Sequence, residues 1–258
     1  MIKFDNVTVR YPNGVVGLDQ VSLEIPDGQF VVVVGLSGAG KSTLVRTING
    51  LVPVTEGSLE VEGVAVHGAS PRALRRLRAR VGMVFQSFNL VKRISVLSNV
   101  LIGRLHSTNW FRSLVGWYTA RDKDLAFDAL DRVGIIEKAY IRASELSGGQ
   151  QQRVAIARVL AQEPSVILAD EPVASLDPPT ANRVMRDLQR INRDLGITTV
   201  VNLHFLDLAR TYAQRIIGMR AGQVVFDGPA EDADDSVFEQ IYGRSLTADD
   251  VLLDEEEA

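Results

Sequence analysis

The sequence predicts an α/β fold whose core is a parallel β-sheet covered by helices. Two observations favour this class. Short apolar segments typical of strands alternate along the chain with segments whose apolar residues recur every three or four positions. The apolar run at residues 30–34 also leads directly into a glycine-rich turn that is followed by a helical pattern. Together these features indicate a strand–loop–helix unit at the centre of the fold.

The elements can be justified in order from their patterns and from the turn residues between them. The predicted elements are strands at 2–9, 21–25 and 30–34, a helix at 41–49, strands near 58–62 and 81–85, helices over much of 95–161, a strand at 166–169, a helix from Pro178, a strand at 198–203, a helix from Phe205, and two strands flanking Ala221 and Gly222. The strands after Gly196 are expected to complete the same sheet.

The helix from Pro178 has the clearest pattern. Its apolar positions are Ala181, Val184, Met185, Leu188, Ile191 and Leu195. This spacing places them on one helix face. Asp177 is suited to cap the helix, and proline is favoured in the first turn because its missing N–H is not needed there.

Composition excludes several classes of protein. The chain has 258 residues, 46% of them hydrophobic, which is enough for one or two domains with a buried core. No apolar run approaches the roughly 18 to 20 residues of a membrane-spanning helix, and the N-terminus lacks the pattern of a secretory signal. The absence of cysteine excludes disulfides, thiol nucleophiles and thiolate metal sites, and is compatible with a reducing compartment.

A phosphate-binding loop follows the strand at 30–34. The motif reads Gly35-Leu36-Ser37-Gly38-Ala39-Gly40-Lys41-Ser42, in which Gly is followed after four residues by Gly-Lys-Ser. Its glycines let backbone N–H groups and a helix N-terminus approach one anion. We expect Lys41 to supply a positive charge to the β- and γ-phosphates and the Ser42 hydroxyl to bind Mg²⁺.

An acidic pair ends the strand at 166–169. Asp170 comes first and is the candidate that holds Mg²⁺, directly or through water, as the acid at the end of the adjacent strand does in phosphate-loop ATPases. Glu171 lies one residue farther, where it could orient and deprotonate the attacking water. By itself such a pair would more often mark a strand that enters a polar turn, so its weight comes from the loop upstream.

A third motif distinguishes among the proteins that share such a loop. Leu146-Ser147-Gly148-Gly149-Gln150, followed by a helix, resembles the signature of ATP-binding cassette (ABC) ATPases, and almost the entire chain is in register with that family. The resemblance implies a phosphate-loop NTPase core with an N-terminal antiparallel β subdomain and a helical signature lobe. In this family the signature covers ATP held by the phosphate loop of a second subunit.

The resemblance also implies roles for single positions. Tyr11 resembles the aromatic that stacks on adenine, and Gln86 the glutamine that contacts Mg²⁺ and water and senses the membrane partner. Asp177 resembles a residue of the loop that crosses the dimer interface. His204 resembles the histidine that contacts the γ-phosphate and keeps Glu171 and water aligned. Structural alternatives remain for each: a strand-end tyrosine, a turn glutamine, a helix cap and a structural histidine.

Three sets of candidate residues result. The nucleotide-binding set comprises Tyr11, Gly35, Ser37, Gly38, Ala39, Gly40, Lys41, Ser42, Thr43, Ser147, Gly148, Gly149, Gln150 and Asp177. The catalytic set comprises Glu171, His204, Gln86 and Lys41. The metal set comprises Ser42, Gln86 and Asp170.

The family resemblance further implies partners and a location. We expect a second ATPase subunit, most simply in a homodimer although a heterodimer stays open, together with membrane permease subunits and a separate solute-binding protein. Residues 88–97 resemble the surface where a permease docks. The chain would then lie on the cytoplasmic face of the inner membrane as a peripheral protein. Subfamily patterns, including Phe205 after His204, resemble the ATP-binding subunits of phosphonate importers.

Alternatives remain open on function. Within transport the solute could be phosphate, an amino acid or a metal ion. A soluble ABC ATPase of DNA repair or translation usually has a coiled coil, zinc modules or tandem cassettes, and a phosphate-loop kinase would leave residues 146–150 without a purpose. Nucleic acid is not an expected partner. The arginines at 72, 75, 76, 78 and 80 instead predict a solvated helix face, because the chain has a net charge of −4 and no aromatics lie between them.

The predicted organisation is a single ABC ATPase domain at 1–245, with a helical lobe at about 88–162, and an acidic tail at 246–258. Six acids and no base lie in residues 249–258, so the rest of the chain carries a net charge of +2. The tail is expected to be a solvated end. An aromatic segment at 103–118 with both tryptophans is either part of the helical-lobe core or an insertion adapted to a partner.

Overall fold

A computed structural model of the protein describes residues 1–107, 116–247 and 250–252. The strands are β1 (Ile2–Arg10), β2 (Val16–Ile25), β3 (Phe30–Val34), β4 (Glu56–Val61), β5 (Val64–Ala65), β6 (Val81–Phe85), β7 (Val166–Asp170), β8 (Thr198–Asn202), β9 (Arg215–Arg220) and β10 (Gln223–Pro229). The α-helices are α1 (Lys41–Ile48), α2 (Pro71–Arg80), α3 (Val96–Leu101), α4 (Ala120–Arg132), α5 (Gly148–Leu160), α6 (Pro178–Leu195), α7 (Leu206–Tyr212) and α8 (Asp235–Tyr242). Short 3₁₀ helices lie at Ile102–His106, Ile136–Lys138, Ala143–Glu145 and Ala230–Asp232.

The strands form two sheets. The N-terminal sheet has the order β2-β1-β4-β5 and is antiparallel throughout. The central sheet has the order β10-β9-β3-β8-β7-β6, in which β9, β3, β8, β7 and β6 are parallel and β10 pairs antiparallel with β9. The predicted α/β class, parallel core and antiparallel β subdomain are confirmed, and the strands after Gly196 do complete the central sheet.

The central sheet is buried on both faces, which explains its continuously apolar strands. In β3, Phe30, Val32 and Val34 face a core made with the helices α3 to α8, whereas Val31 and Val33 face a core shared with α1 and the N-terminal sheet. All five residues of β3 are buried. The carboxyl ends of β3, β6, β7 and β8 meet at one edge, and the candidate site lies at this edge.

Helix α6 follows its predicted pattern with one exception. The Asp177 side chain accepts a hydrogen bond from the backbone N–H of Thr180, and Pro178 occupies the first turn. Five of the six predicted apolar positions are buried: Ala181, Val184, Met185, Leu188 and Ile191. Leu195 is 42% exposed, because it is the last helical residue before Gly196 turns the chain with φ of 64°.

The basic run lies on α2 as predicted. Leu77 is the buried residue of this helix, while the five arginine positions are exposed. Arg78 also donates to the backbone carbonyls of Asn49 and Gly50, so part of its charge covers the C-terminus of α1, where a cation is favoured.

The prediction of a solvated C-terminal tail is wrong for its described part. Asp250 is only 6% exposed and forms a two-point ion pair with Arg244, at 2.7 and 2.8 Å. The backbone N–H of Leu252 donates to Asp207, and the Leu246 and Leu252 side chains pack against the core. The prediction rests on the number of acids in the tail, which favours mutual repulsion and solvation. It does not consider that Arg244, six positions before Asp250, could pair with one of them. The other acids of the tail, Asp249, Asp254 and residues 255–257, lie outside the described residues.

The aromatic segment is described only in part. Trp110, Phe111 and Leu114 lie outside the described residues, while Trp117 is 71% exposed and Tyr118 packs against the core. Among the residues that the structure describes, no helix is both long and apolar enough to cross a bilayer.

Candidate functional site

The loop at 35–42 leaves the carboxyl end of β3 and enters α1. Its backbone needs glycine at two positions. A Cβ at Gly35, where φ is 149°, would lie 2.3 Å from the carbonyl oxygen of Met219, and one at Gly40, where φ is 105°, would lie 2.4 Å from that of Gly17. Any larger residue would therefore displace backbone on both sides of the loop.

Lys41 is buried inside this loop, with 4% of its surface exposed. Its Nζ donates to the carbonyl oxygens of Gly35 at 2.7 Å and Leu36 at 3.1 Å. Burial lowers the pKa of Lys41 to about 8, although the negative charges of Glu171 and Asp170 act in the opposite direction. Backbone carbonyl oxygens therefore hold the ammonium group in place. A bound anion would stabilise its charged form.

Asp170 is the centre of a dense hydrogen-bond cluster. Its Oδ1 accepts from Ser42 Oγ and from Asn202 Nδ2, both at 2.8 Å, and its Oδ2 accepts from Arg46 Nε at 2.9 Å. Arg46 Nη2 also lies 2.9 Å from Oδ2. The predicted metal residues Ser42 and Asp170 are thus in direct contact, across the strands β3, β8 and β7.

Glu171 adopts a conformation that is uncommon for a residue other than glycine, with φ of 54°. Its Oε1 lies 2.6 Å from Nε2 of His204, and both side chains remain partly exposed. The backbone oxygen of His204 accepts a hydrogen bond from the hydroxyl of Tyr242 in α8, at 3.0 Å. The left-handed turn after β7 thus aims the carboxylate at the histidine that follows β8.

Tyr11 and Gln86 flank this cluster. The Tyr11 hydroxyl is 3.0 Å from Thr43 Oγ1, so the ring lies beside the first turn of α1. Gln86 is exposed and follows Phe85, whose register partner in the sheet is Asp170. It therefore starts at the same edge as Asp170.

The segment after Gln86 is tied to the signature helix. Phe88 and Asn89 both have positive φ, at 58° and 51°, and their carbonyl oxygens accept from Arg158 of α5 at 3.0 and 2.6 Å. Burial lowers the pKa of Arg158. A movement of α5 would consequently pull on the segment that begins at Gln86.

The signature begins α5. Ser147 caps the helix and exchanges hydrogen bonds with Gln150. Ser147 is exposed, Gly148 and Gln150 are partly exposed, and Gly149 is buried. A Cβ at Gly149 would lie 2.2 Å from Thr180 Cγ2, so α5 packs closely on the start of α6 that Asp177 caps. In the described part of the chain, no hydrogen bond joins residues 147–150 to the loop at 35–43. The structure therefore places the predicted nucleotide residues in two groups.

Sequence reasoning missed two members of the Asp170 cluster, Arg46 and Asn202. Arg46 is one of several cations on helix surfaces and carries no distinguishing signal. Asn202 does carry one, because an amide ends a buried strand whose other residues are threonines and valines. Its importance depends on the pairing of β7 with β8, which sequence spacing does not reveal.

Comparisons with known proteins agree with this geometry. The family model for ABC transporter matches residues 18–174. The phosphonates import ATP-binding protein PhnC 3 of Halalkalibacterium halodurans is 59% identical over 98% of each chain, and PhnC of Shouchella clausii is 59% identical over 99% of this chain and 96% of its own.

Solved structures give the same result. A dimeric ATP-binding cassette in a post-hydrolysis state, bound to ADP and Pi, matches with a TM-score of 0.76 and 34% identity, over 89% of this chain and 99% of its own. The ADP conformation of another cassette of an ABC transporter matches with a TM-score of 0.80 and 27% identity, over 93% and 97%. The fold, the clustered motifs and these matches together show that the chain belongs to the ABC transporter family, as one of its ATP-binding cassettes.

Proposed function

We propose that this protein is the ATP-hydrolysing subunit of an ABC importer for phosphonates or related organophosphorus anions. The observation that carries the enzymatic part is the contact of Glu171 with His204. Glu171 directly follows Asp170, which contacts Ser42 at the end of the phosphate-binding loop. The choice of solute is supported by relatives named as phosphonate-import proteins that are 59% identical over nearly the full chain.

ATP binding would use the phosphate-binding loop, the first turn of α1 and Tyr11 beside it. Backbone N–H groups of Ser37, Gly38, Ala39 and Gly40 would surround the β- and γ-phosphates, with Gly35 allowing the close approach. The Lys41 ammonium would exchange its carbonyl partners for phosphate oxygens. Thr43, at the start of α1, would extend this phosphate contact, and Tyr11 beside it would stack on adenine.

The residues around Asp170 fit a magnesium ion. Hydroxyl and carboxylate oxygens are the ligands that Mg²⁺ prefers, and Ser42 and Asp170 are in contact, with Gln86 beginning at the same edge. Phosphate oxygens and water would complete the ligand set, because Mg²⁺ usually keeps several waters and is bound through one or two carboxylates together with phosphates. When bound, Mg²⁺ would neutralise negative charge on the β- and γ-phosphates.

Hydrolysis would depend on Glu171 and His204. The Glu171 carboxylate would accept a proton from the attacking water as its oxygen bonds to the γ-phosphorus and the bond to the leaving ADP oxygen breaks. His204, held against Glu171 Oε1, would keep that carboxylate and the water aligned and contact the γ-phosphate. Gln86, which begins at the same edge of the sheet, would contact Mg²⁺ and the water.

A second subunit would complete each site. Ser147 is exposed at a helix start whose residues Gly148, Gly149 and Gln150 would present the positive end of α5 to a phosphate of ATP held by a partner chain. The absence of hydrogen bonds between these described residues and the chain's own loop favours this arrangement. Asp177, beside the signature through the α5–α6 contact, would lie at the interface. The resulting homodimer would contain two ATP molecules.

The remaining partners complete the transporter. We propose permease subunits in the inner membrane, with this protein bound peripherally at the cytoplasmic face, and a separate solute-binding protein. The permease would contact the surface around 88–97, where Arg158 links the segment to the signature helix. In this proposal residues 1–245 form one ATPase domain with a helical lobe at about 88–162. The acidic segment 246–258 follows it, with Leu246, Asp250 and Leu252 held against the domain.

Reconstitution tests this function directly. The ATPase is assembled with its permease in proteoliposomes, and ATP hydrolysis is measured with the solute-binding protein loaded with a phosphonate, with phosphate or with an amino acid. We expect the phosphonate-loaded protein to stimulate hydrolysis most strongly. Stimulation only by phosphate or by the amino acid would change the solute, and failure to assemble with any permease would reject the transport role.

A further inference from the structure

Asn202 lies at the centre of the site but has no role in the function proposed above. It is the last residue of β8, its Cα register partner in β7 is Asp170, and it is fully buried. The other residues of β8 are threonines and valines. A buried amide in such a strand is costly unless its polar atoms are paired.

The orientation of the amide follows from its neighbours. Asn202 Nδ2 lies 2.8 Å from Asp170 Oδ1 and 3.2 Å from Ser42 Oγ. An amide oxygen at this position would face the negatively charged carboxylate, so the donor group must occupy it. The amide N–H groups therefore hold together the two oxygen atoms that are expected to serve the metal ion.

The other half of the amide lacks a partner. Asn202 Oδ1 is buried and accepts no hydrogen bond from any residue that the structure describes. An unpaired buried acceptor lowers the stability of the fold by about 1 to 3 kcal/mol. This position therefore favours a ligand that donates a hydrogen bond to Oδ1. Ser42 and Arg46 donate to Asp170 instead. Water molecules of the Mg²⁺ hydration shell are such donors, because the ion usually keeps several of them.

We infer that Asn202 is a positioning residue for the magnesium ion of MgATP. Its amide N–H groups fix Asp170 and Ser42, and its Oδ1 accepts a hydrogen bond from a water molecule coordinated to the ion. The inference rests on the proposed ATP and Mg²⁺ site and adds a residue to it. It also explains why a polar side chain ends a strand whose other positions are filled for packing and β propensity.

The test measures metal affinity separately from turnover. Asn202→Leu, of similar size, is made in a Glu171→Gln background that does not turn over, and Mn²⁺ binding at saturating ATP is followed by electron paramagnetic resonance. Loss of an outer-shell contact typically weakens metal binding about 10- to 100-fold, which is the expected effect here. The affinity for ATP in EDTA should change by less than about twofold, because the amide serves the metal and not the nucleotide.

A matched control is available at the other end of the sheet. Asn192 of α6 is also buried, and its Nδ2 donates to the carbonyl oxygens of Gly28 and Ile197. These two residues precede β3 and β8, whereas the cluster lies at the carboxyl ends of the same strands. Asn192→Leu should lower thermal stability but leave the Mn²⁺ affinity unchanged. Asn202→Ala, which adds no bulk, repeats the measurement if Asn202→Leu does not fold.

The outcomes separate the inference from the function on which it rests. If the parent Glu171→Gln protein binds no Mn²⁺ with ATP, the proposed metal site itself is wrong. If the parent binds Mn²⁺ and a folded Asn202 variant binds it equally well, Asn202 does not position the ion and Oδ1 serves only the packing of the strand. Equal losses of Mn²⁺ affinity and metal-free ATP affinity would also overturn the inference.

Discussion

At the scale of single residues, the site is a set of charges held in place by backbone and neighbouring side chains. Lys41 is buried against two carbonyl oxygens, Asp170 accepts hydrogen bonds from three side chains, and Glu171 is turned toward His204 by a left-handed backbone. Such preorganisation lowers the reorganisation that binding and hydrolysis require. Preorganisation also has an energetic cost, because burial of the Lys41 ammonium group disfavours its charged form and lowers its pKa to about 8.

The pKa of Lys41 predicts a pH dependence of ATP binding. Above pH 8 the free protein loses the Lys41 proton, while bound phosphate favours the charged form, so binding takes up a proton. The dissociation constant for ATP in EDTA should be flat near pH 7 and rise toward tenfold per pH unit above pH 8. In Lys41→Arg the guanidinium stays charged, so any remaining affinity should not vary with pH. An identical slope in both proteins would contradict the assignment.

At the scale of elements, the buried cation of Arg104 joins separate parts of the helical lobe to one another. Arg104, 5% exposed, follows α3 and donates to Asp122 of α4 at 2.9 Å, to the carbonyl oxygen of Ala161 after α5 at 2.9 Å, and to Glu163 at 2.7 Å. Burial alone would raise the pKa of Asp122, but hydrogen bonds from Thr119 and Arg104 hold it below its usual range. Three parts of the lobe thus share one guanidinium.

Arg104→Met should therefore destabilise the protein by about 3 kcal/mol, because it leaves the Asp122 carboxylate buried without its cation. Urea unfolding gives the free energy difference. Arg121→Met is the matched control, since Arg121 is 77% exposed and lies 3.6 Å from Glu163, and its loss should cost less than about 0.5 kcal/mol. Similar losses for the two variants would show that the buried pair does not hold the lobe.

Elements that local chemistry determines could be predicted from the sequence, and pairings between distant segments could not. The phosphate-binding loop and the capped helix α6 follow from spacing that sterics and hydrogen bonding impose within a few residues. The contacts of Arg46 and Asn202 with Asp170 join positions 124 and 32 residues away. They depend on strand order and register, which apolar runs alone leave open.

At the scale of the whole molecule, the C-terminal residues return to the edge that carries the site. Tyr242 donates to the backbone of His204, the N–H of Leu252 donates to Asp207 in α7, and Arg244 stacks 5.5 Å from the Tyr242 ring while it binds Asp250. Burial raises the pKa of Tyr242, so its hydroxyl stays protonated and able to donate. The end of the described chain thereby holds in place the segment from His204 to Asp207, which follows β8.

Asp250→Asn should lower the free energy of unfolding at pH 7 by about 1 kcal/mol. The effect is this small because Arg244 is partly exposed and solvent screens its charge. Hydrogen bonds from Arg244 lower the pKa of Asp250 from 3.8 to about 2. The carboxylate therefore contributes stability above pH 4 that is lost as the pH falls toward 2, so the difference from wild type should shrink over this range. Asp235→Asn, which changes an exposed pair with Arg210, should show a much smaller difference. Equal effects would leave the C-terminal segment without a stabilising role.

We propose that two copies of this chain enclose ATP and that Glu171 activates the water that cleaves it. Glu171→Gln keeps the size of the side chain and can still accept a hydrogen bond from His204, but it removes the carboxylate that we propose takes the proton. ATP binding should therefore persist, while turnover should fall by more than about 10²-fold.

The most direct measurement combines light scattering with a turnover assay on Glu171→Gln at saturating ATP and Mg²⁺. We expect a stable dimer that forms with ATP, dissociates when ATP is replaced by ADP, and hydrolyses almost no ATP. Hydrolysis at the wild-type rate would remove Glu171 from its role. A protein that binds ATP but stays monomeric would contradict the composite site formed with the signature of a second chain.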